Sequence, residues 1–161
     1  MISKKVILTG SFGVGKTSLF NKFIYNKFSD KYLTTIGVKV NKKTISIDGR
    51  DLSLLIWDIA GEVSQDKVPT SYFLGASGII YVFDLTRPST YKKIKEDLAY
   101  LNEITKGAVI KIVGNKKDLV DEGQIAEVRA QIEQEWDIIT SAKTGENVED
   151  LFHGMGRDLI A

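Results

Sequence analysis

Cysteine is absent from the 161-residue chain, which removes disulfides, zinc-thiolate centres, prenylation and palmitoylation from the chemistry these residues offer. An excess of one charge is also lacking, with 22 basic against 21 acidic side chains. Neither nucleic acid nor an anionic membrane is therefore an expected partner. Lysine pairs such as Lys92-Lys93 and Lys116-Lys117 read as solvated faces. No apolar run approaches the roughly 20 residues of a membrane-spanning helix. Lys4-Lys5 precedes only a short apolar stretch, unlike a signal peptide, and Ile2 departs from the usual myristoylation start. Repeats, linkers and low-complexity tracts are missing too. With 43% hydrophobic residues, the expectation is a single domain over residues 1–161, cytoplasmic and monomeric, large enough to bury one core.

Only two prolines interrupt the chain, which alternates short apolar runs with longer amphipathic segments. Strands are expected at Lys5–Thr9, Val38–Ile47, Leu52–Asp58, Gly78–Asp84, Val109–Gly114 and Ile138–Ser141. Runs such as Ile79-Ile80-Tyr81-Val82-Phe83 are apolar on both faces, as strands inside a helix-covered parallel sheet must be. Around Asp48-Gly49 the alternation is polar and the turn has two residues, which reads as a hairpin and one antiparallel edge strand. Helices are expected near Thr17–Tyr25, Val68–Leu74, Ser89–Ile104, Gln124–Glu133 and Asn147–Ile160. The fold class is α/β, with a six-stranded, mostly parallel sheet and about five helices. Ligands of such sheets sit in loops at the carboxyl ends of the strands.

Four short stretches fall in those loops. Gly10-Ser11-Phe12-Gly13-Val14-Gly15-Lys16-Thr17 follows an apolar run and opens a helical segment at Ser18. This is the context of a phosphate-binding loop, whose successive N–H groups and helix N-terminus face the phosphates. Lys16 is expected to reach the β- and γ-phosphates and Thr17 to give its hydroxyl to Mg²⁺. Asp58, closing the third strand, has the chemistry of an acid that holds the metal through water, and the N–H of Gly61 is placed to bond the γ-phosphate. Asn115-Lys116-Lys117-Asp118 selects the base: the Asp118 carboxylate accepts from both the ring N–H and the exocyclic amine of guanine, a pair of donors adenine lacks. Asn115 is expected to brace neighbouring loops and the Lys116 stem to cover one face of the base. Ser141-Ala142-Lys143 adds a backbone N–H, at Ala142, for the guanine oxygen. The ligands implied are GTP or GDP with Mg²⁺.

In the order and spacing of these motifs the whole chain resembles the Ras superfamily of small GTPases, with its P-loop G domain. Thr34-Thr35-Ile36-Gly37-Val38, Ile56-Trp57-Asp58, Ser71-Tyr72-Phe73 and Gly75-Ala76 look most like the Rab branch. The resemblance implies that Thr35 is the switch I threonine, binding Mg²⁺ only when a γ-phosphate is present. It further implies that Phe28 sits edge-on against guanine, that Tyr32 folds over the phosphates, and that Val40, Trp57 and Tyr72 form an apolar surface for effectors. Effector, exchange factor and any activating protein are not identified by it. Switch I would cover residues about 28–40 and switch II about 60–74, and both would loosen when the γ-phosphate is lost.

Two residues depart from that pattern. Glu62 stands where relatives carry the glutamine that orients water; ionised, it accepts but cannot donate a hydrogen bond, and it adds negative charge beside an anionic transition state. It is either a weak base or a brake, and hydrolysis through it is expected to depend on pH. Phe12 stands where many relatives have a small residue, on the side where a partner's arginine would enter. The surface expected between Ser64 and Lys67 is polar at Gln65 where Rab relatives show an aromatic, so effector specificity does not transfer. The last residue, Ala161, follows the final helix: either a targeting tail is missing or the protein works in the cytosol without one, and the second is expected. Two functions fit the residues, a hydrolysing GTP/GDP switch or a GTP-held interaction module with very slow hydrolysis. A P-loop kinase or ATPase is disfavoured by Asp118.

Overall fold

Alternating side chains in β1 (Ile2–Gly10) send Val6 and Leu8 to one face of a sheet and Ile7 to the other, all fully buried. That two-sided burial requires helices on both faces. The computed structural model describes residues 1–29, 37–62 and 65–161. The expectations for Thr34 to Ile36, with Tyr32, and for Ser64 lie outside the described residues.

Five further strands join β1: β2 (Val38–Ile47), β3 (Arg50–Ile59), β4 (Ala76–Asp84), β5 (Val109–Asn115) and β6 (Ile138–Ile139). Their order is β2-β3-β1-β4-β5-β6. β2 runs antiparallel to β3, and the other neighbouring pairs are parallel. The β2–β3 connection is the expected two-residue turn. Ile47 pairs with Arg50, while Asp48 (φ 50°) and Gly49 (φ 80°) both take left-handed backbone, as the hairpin turn matching strand twist demands.

Helices α1 (Lys16–Tyr25) and α4 (Val148–Ile160) cover one face. There Leu19, Phe20 and Phe23 meet Leu151, Phe152 and Met155 over Val6, Leu8 and Val82, and Phe23 stacks on Phe152 at 4.0 Å between centroids. The opposite face holds α2 (Ile94–Thr105) and α3 (Glu122–Gln131), with Ile94, Leu101 and Val128 packed over Ile7, Ile79 and Phe83. β1 therefore feeds a helix on one face and β4 a helix on the other, which opens a crevice at the carboxyl ends of these neighbouring strands.

Four α-helices are present among the described residues, not about five. Val68–Leu74, expected as a helix, instead holds only a 3-10 turn at Thr70–Phe73, with a second such turn before it at Gln65–Lys67. Pro69 lies between them at ψ 128°; its ring disfavours helical backbone at Val68 and it has no N–H to continue a helix. The helix expected from Ser89 begins only at Ile94, after a 3-10 turn at Pro88–Thr90. There the Thr90 hydroxyl donates to the Arg87 carbonyl at 2.7 Å and accepts from the Asp84 N–H, competing with helical bonding.

Candidate nucleotide site

The loop between β1 and α1 cannot satisfy its own polar groups, and the residues around it supply what is missing. α1 starts at Lys16 behind Gly15, which has left-handed backbone (φ 98°) and gives no side-chain cap. The first amides of the helix thus face the crevice with the positive end of its dipole. Lys16 folds back so that its Nζ donates to the carbonyls of Gly10 (3.1 Å) and Ser11 (2.9 Å). Burial pushes its ammonium down to about 8, opposed by the Asp58 carboxylate. A cation desolvated this far gains strongly from an anion placed beside it.

Thr17 Oγ1 donates to Asp58 Oδ2 at 2.7 Å, and both side chains are buried. Two of the three groups expected at Mg²⁺, Thr17 directly and Asp58 through water, therefore lie side by side at the carboxyl end of β3. Hard oxygen donors of this kind suit Mg²⁺, which takes few protein ligands and completes its shell from phosphate and water. Among the described residues no cluster of three or more His, Cys, Asp or Glu forms an all-protein cage. Gly61 follows, passing the loop so closely that a Cβ there would lie 2.5 Å from both N and Cα of Phe12.

The far end of the crevice is built from two loops clamped to the first. Asn115 Nδ2 donates to the Val14 carbonyl (3.0 Å) while its Oδ1 accepts from Thr140 Oγ1 (3.0 Å). Lys116, in left-handed backbone at φ 73°, sends its Nζ to the Gly13 carbonyl (2.9 Å) and to Asp84 Oδ2 (2.8 Å). Ser141 Oγ donates to Asp118 Oδ1 at 2.8 Å, which fixes the carboxylate at the exposed rim.

These groups enclose a cavity of about 290 Å³. Phe12, Gly13, Gly15, Lys16, Thr17 and Ser18, with Gly61 against Phe12, line one end and Asn115, Lys116, Asp118, Ala142 and Lys143 the other, and Phe28 lines it as well. Ser11, Val14 and Ser141 act behind the wall through the bonds above, and Glu62 is half-buried beside Gly61, outside the wall. Ser29, Ile59 and Leu119 also line the cavity, and Asp84, Arg87 and Thr140 support it, Arg87 by donating to the Phe12 carbonyl at 3.1 Å. No motif singles these out in the sequence, because they follow from strand ends meeting in space.

The expected apolar surface is also assembled. Val40 is 48% exposed, Trp57 and Tyr72 are half-buried with ring centroids 6.3 Å apart, and the Lys5 ammonium covers the Trp57 ring at 3.7 Å. Gln65 corrects the sequence reading: it is 1% exposed and belongs to the interior, not to the surface.

A model of the Ras family matches residues 5–161. Ras-related protein Rab-1D of Dictyostelium discoideum is 37% identical over 160 residues, spanning 96% of this chain and 78% of that protein. Ras-related protein Rab-8B of Homo sapiens is 35% identical over 97% of this chain and 78% of its own length. RAB1BV of Beta vulgaris is 37% identical over 96% and 75%. With the six-stranded sheet and the cavity at its carboxyl edge, these matches make the chain a member of the Ras family, a Rab-like small GTPase.

Proposed function

We propose that residues 1–161 act as one GTP/GDP switch that binds GTP with Mg²⁺, hydrolyses it slowly to GDP and phosphate, and signals through switch I (about 28–40) and switch II (about 60–74). One observation carries this reading: the buried Lys16, Thr17 with its bond to Asp58, and the Ser141-braced Asp118 all line a single cavity. Lys16 leaves the Gly10 and Ser11 carbonyls for the β- and γ-phosphates, recovering the ionic partner that burial denies it. Asp118 accepts from guanine, the Ala142 N–H donates to the guanine oxygen, and the Lys116 stem and Phe28 flank the ring. An analogue lacking the matching donors is rejected by roughly 10⁴.

Thr17 would hold Mg²⁺ directly and Asp58 through water, with Thr35 joining when a γ-phosphate is present; bound there, the ion offsets phosphate charge. Glu62 accepts a hydrogen bond from the water that attacks the γ-phosphorus in line, while the Gly61 N–H bonds a γ-phosphate oxygen. When phosphate leaves, Gly61 and Thr35 lose those bonds. A near-complete change of state needs about 5.5 kcal/mol of differential binding. Val40, Trp57 and Tyr72 then change as a surface for an effector.

Single-turnover phosphate release from GTP-loaded protein, measured across pH for wild type, Glu62→Gln and Glu62→Ala, tests the reading. Slower release in Glu62→Ala, with a changed pH profile, is expected. A second reading, a GTP-held module, is favoured by Phe12. Phe12 is 52% exposed and lines the cavity, its carbonyl is tied to Arg87, and with GTP bound its ring would stand on the γ-phosphate side, where an activator's arginine would enter. Such an arginine is worth on the order of 10³ to 10⁵ in rate. Retained GTP in wild type, with release restored by Glu62→Gln, would establish the module. Phe12→Gly is expected to admit an arginine-supplying activator; equal resistance in that variant would overturn the role given to Phe12.

A further inference from the structure

Behind the cavity, four buried polar side chains form a chain of hydrogen bonds that the nucleotide chemistry does not use. Thr9 Oγ1 donates to Gln65 Oε1. The Gln65 backbone N–H donates to Asp97 Oδ1 at 3.1 Å, and Tyr81 OH donates to Asp97 Oδ2 at 2.7 Å. Each of the four is at most 5% exposed. They come from four separate pieces of the fold: Thr9 from β1 next to Gly10, Tyr81 from its register partner on β4, Asp97 from α2, and Gln65 from the turn that follows Glu62.

The position of Gln65 gives this network its consequence. Gln65 lies three residue steps beyond Glu62, a length of chain that spans at most about 10 Å. On the other side of Glu62, Gly61 is pressed against the Phe12 backbone. Glu62 is thus bracketed by two anchored neighbours. An apolar side chain at position 65 would hold its turn by shape alone and could slide. A hydrogen-bonded one has a single seated arrangement, because leaving it strands buried polar atoms at about 1–3 kcal/mol each.

We propose that Asp97 and Gln65, with Tyr81 and Thr9, are positioning residues that fix Glu62 for GTP hydrolysis. The proposal rests on the catalytic reading of Glu62 given above. It accounts for a carboxylate in the interior: burial raises the proton affinity of Asp97 despite the bonds from Tyr81 and Gln65, so the group is retained at a cost in stability that apolar packing would avoid.

A double-mutant cycle on single-turnover phosphate release tests it, using the 161-residue protein preloaded with GTP and Mg²⁺. Asp97→Asn keeps the shape and an acceptor for the Gln65 N–H. It is expected to slow release ten- to a hundredfold, the scale of a displacement near 1 Å, with GTP and GDP affinities unchanged. Tyr81→Phe, which removes one hydroxyl, is expected to act in the same direction and carries the test should Asp97→Asn fold poorly. In the Glu62→Ala background neither substitution should slow release further. A rate loss that adds to that of Glu62→Ala, or wild-type rates in both variants while Glu62→Ala is slow, would overturn the proposal alone. Wild-type release from Glu62→Ala would instead remove the catalytic reading on which it rests. Amide exchange of residues 65–68 gives a readout independent of catalysis: faster exchange in Asp97→Asn is expected, and unchanged exchange would overturn the clamp.

Discussion

Gly61 and Asp118 bear the sharpest demands on single residues. A Cβ at Gly61 would meet backbone atoms of Phe12 at 2.5 Å, and backbone cannot rotate aside as a side chain can. Gly61→Ala must therefore separate the loop after β3 from the phosphate-binding loop by a displacement approaching 1 Å. Such a displacement predicts about a hundredfold slower single-turnover release, read as phosphate released from preloaded protein. Asp118→Ala is expected to lose selectivity for GTP over ATP by on the order of 10⁴, measured as the ratio of dissociation constants in competition binding; an unchanged ratio would place base recognition elsewhere. Both residues were legible in the sequence, since glycines, a lysine and an Asn-Lys-Lys-Asp run at fixed spacing leave few other readings. Gln65 was not. A lone glutamine in a polar stretch looks exposed, and only the meeting of β1, β4 and α2 supplies the partners that allow its burial.

At the scale of elements, the strands were readable because alternation and two-sided apolar runs report burial directly, and Asp48-Gly49 stated its own turn. The segment Val68–Leu74 reads as helical because its apolar spacing fits a helix, while Pro69 confines it to a short turn at Thr70–Phe73. β6 is only Ile138–Ile139, shorter than the expected Ile138–Ser141; the Thr140 N–H still donates to the Gly114 carbonyl, while the Thr140 and Ser141 side chains brace Asn115 and Asp118. α4 depends on its inward face, where Phe152 is fully buried against Phe23. Phe152→Ala is expected to cost about 3–5 kcal/mol. In a chain of this length that lowers Tm by roughly 10 °C, read by thermal melting with nucleotide held constant; a shift within a degree or two would mean that the helix repacks without the ring.

For the molecule as a whole, the buried clamp leaves a signature in the dependence of stability on pH. Desolvation raises the proton affinity of Asp97, and Asp66 adds to it; the Tyr81 hydroxyl, the Gln65 N–H and Lys93 oppose it without cancelling it. The folded chain therefore still holds the Asp97 proton over an interval in which the unfolded chain has released it. Stability falls as pH rises wherever the native state binds more protons. The contribution of Asp97 is fully present below the ordinary aspartate value of about 3.9 and is lost as pH rises through the higher folded value. Asp97→Asn has no such proton to lose. Urea midpoints followed upward from about pH 4 should show wild type losing stability relative to Asp97→Asn. Parallel curves would mean that the Asp97 carboxylate is as well solvated in the fold as in water. Joined to slower hydrolysis in the same variant, that relative loss separates two explanations for the acid: a carboxylate kept to hold the fold would not cost stability as it ionises, whereas one kept to hold Glu62 trades stability for rate.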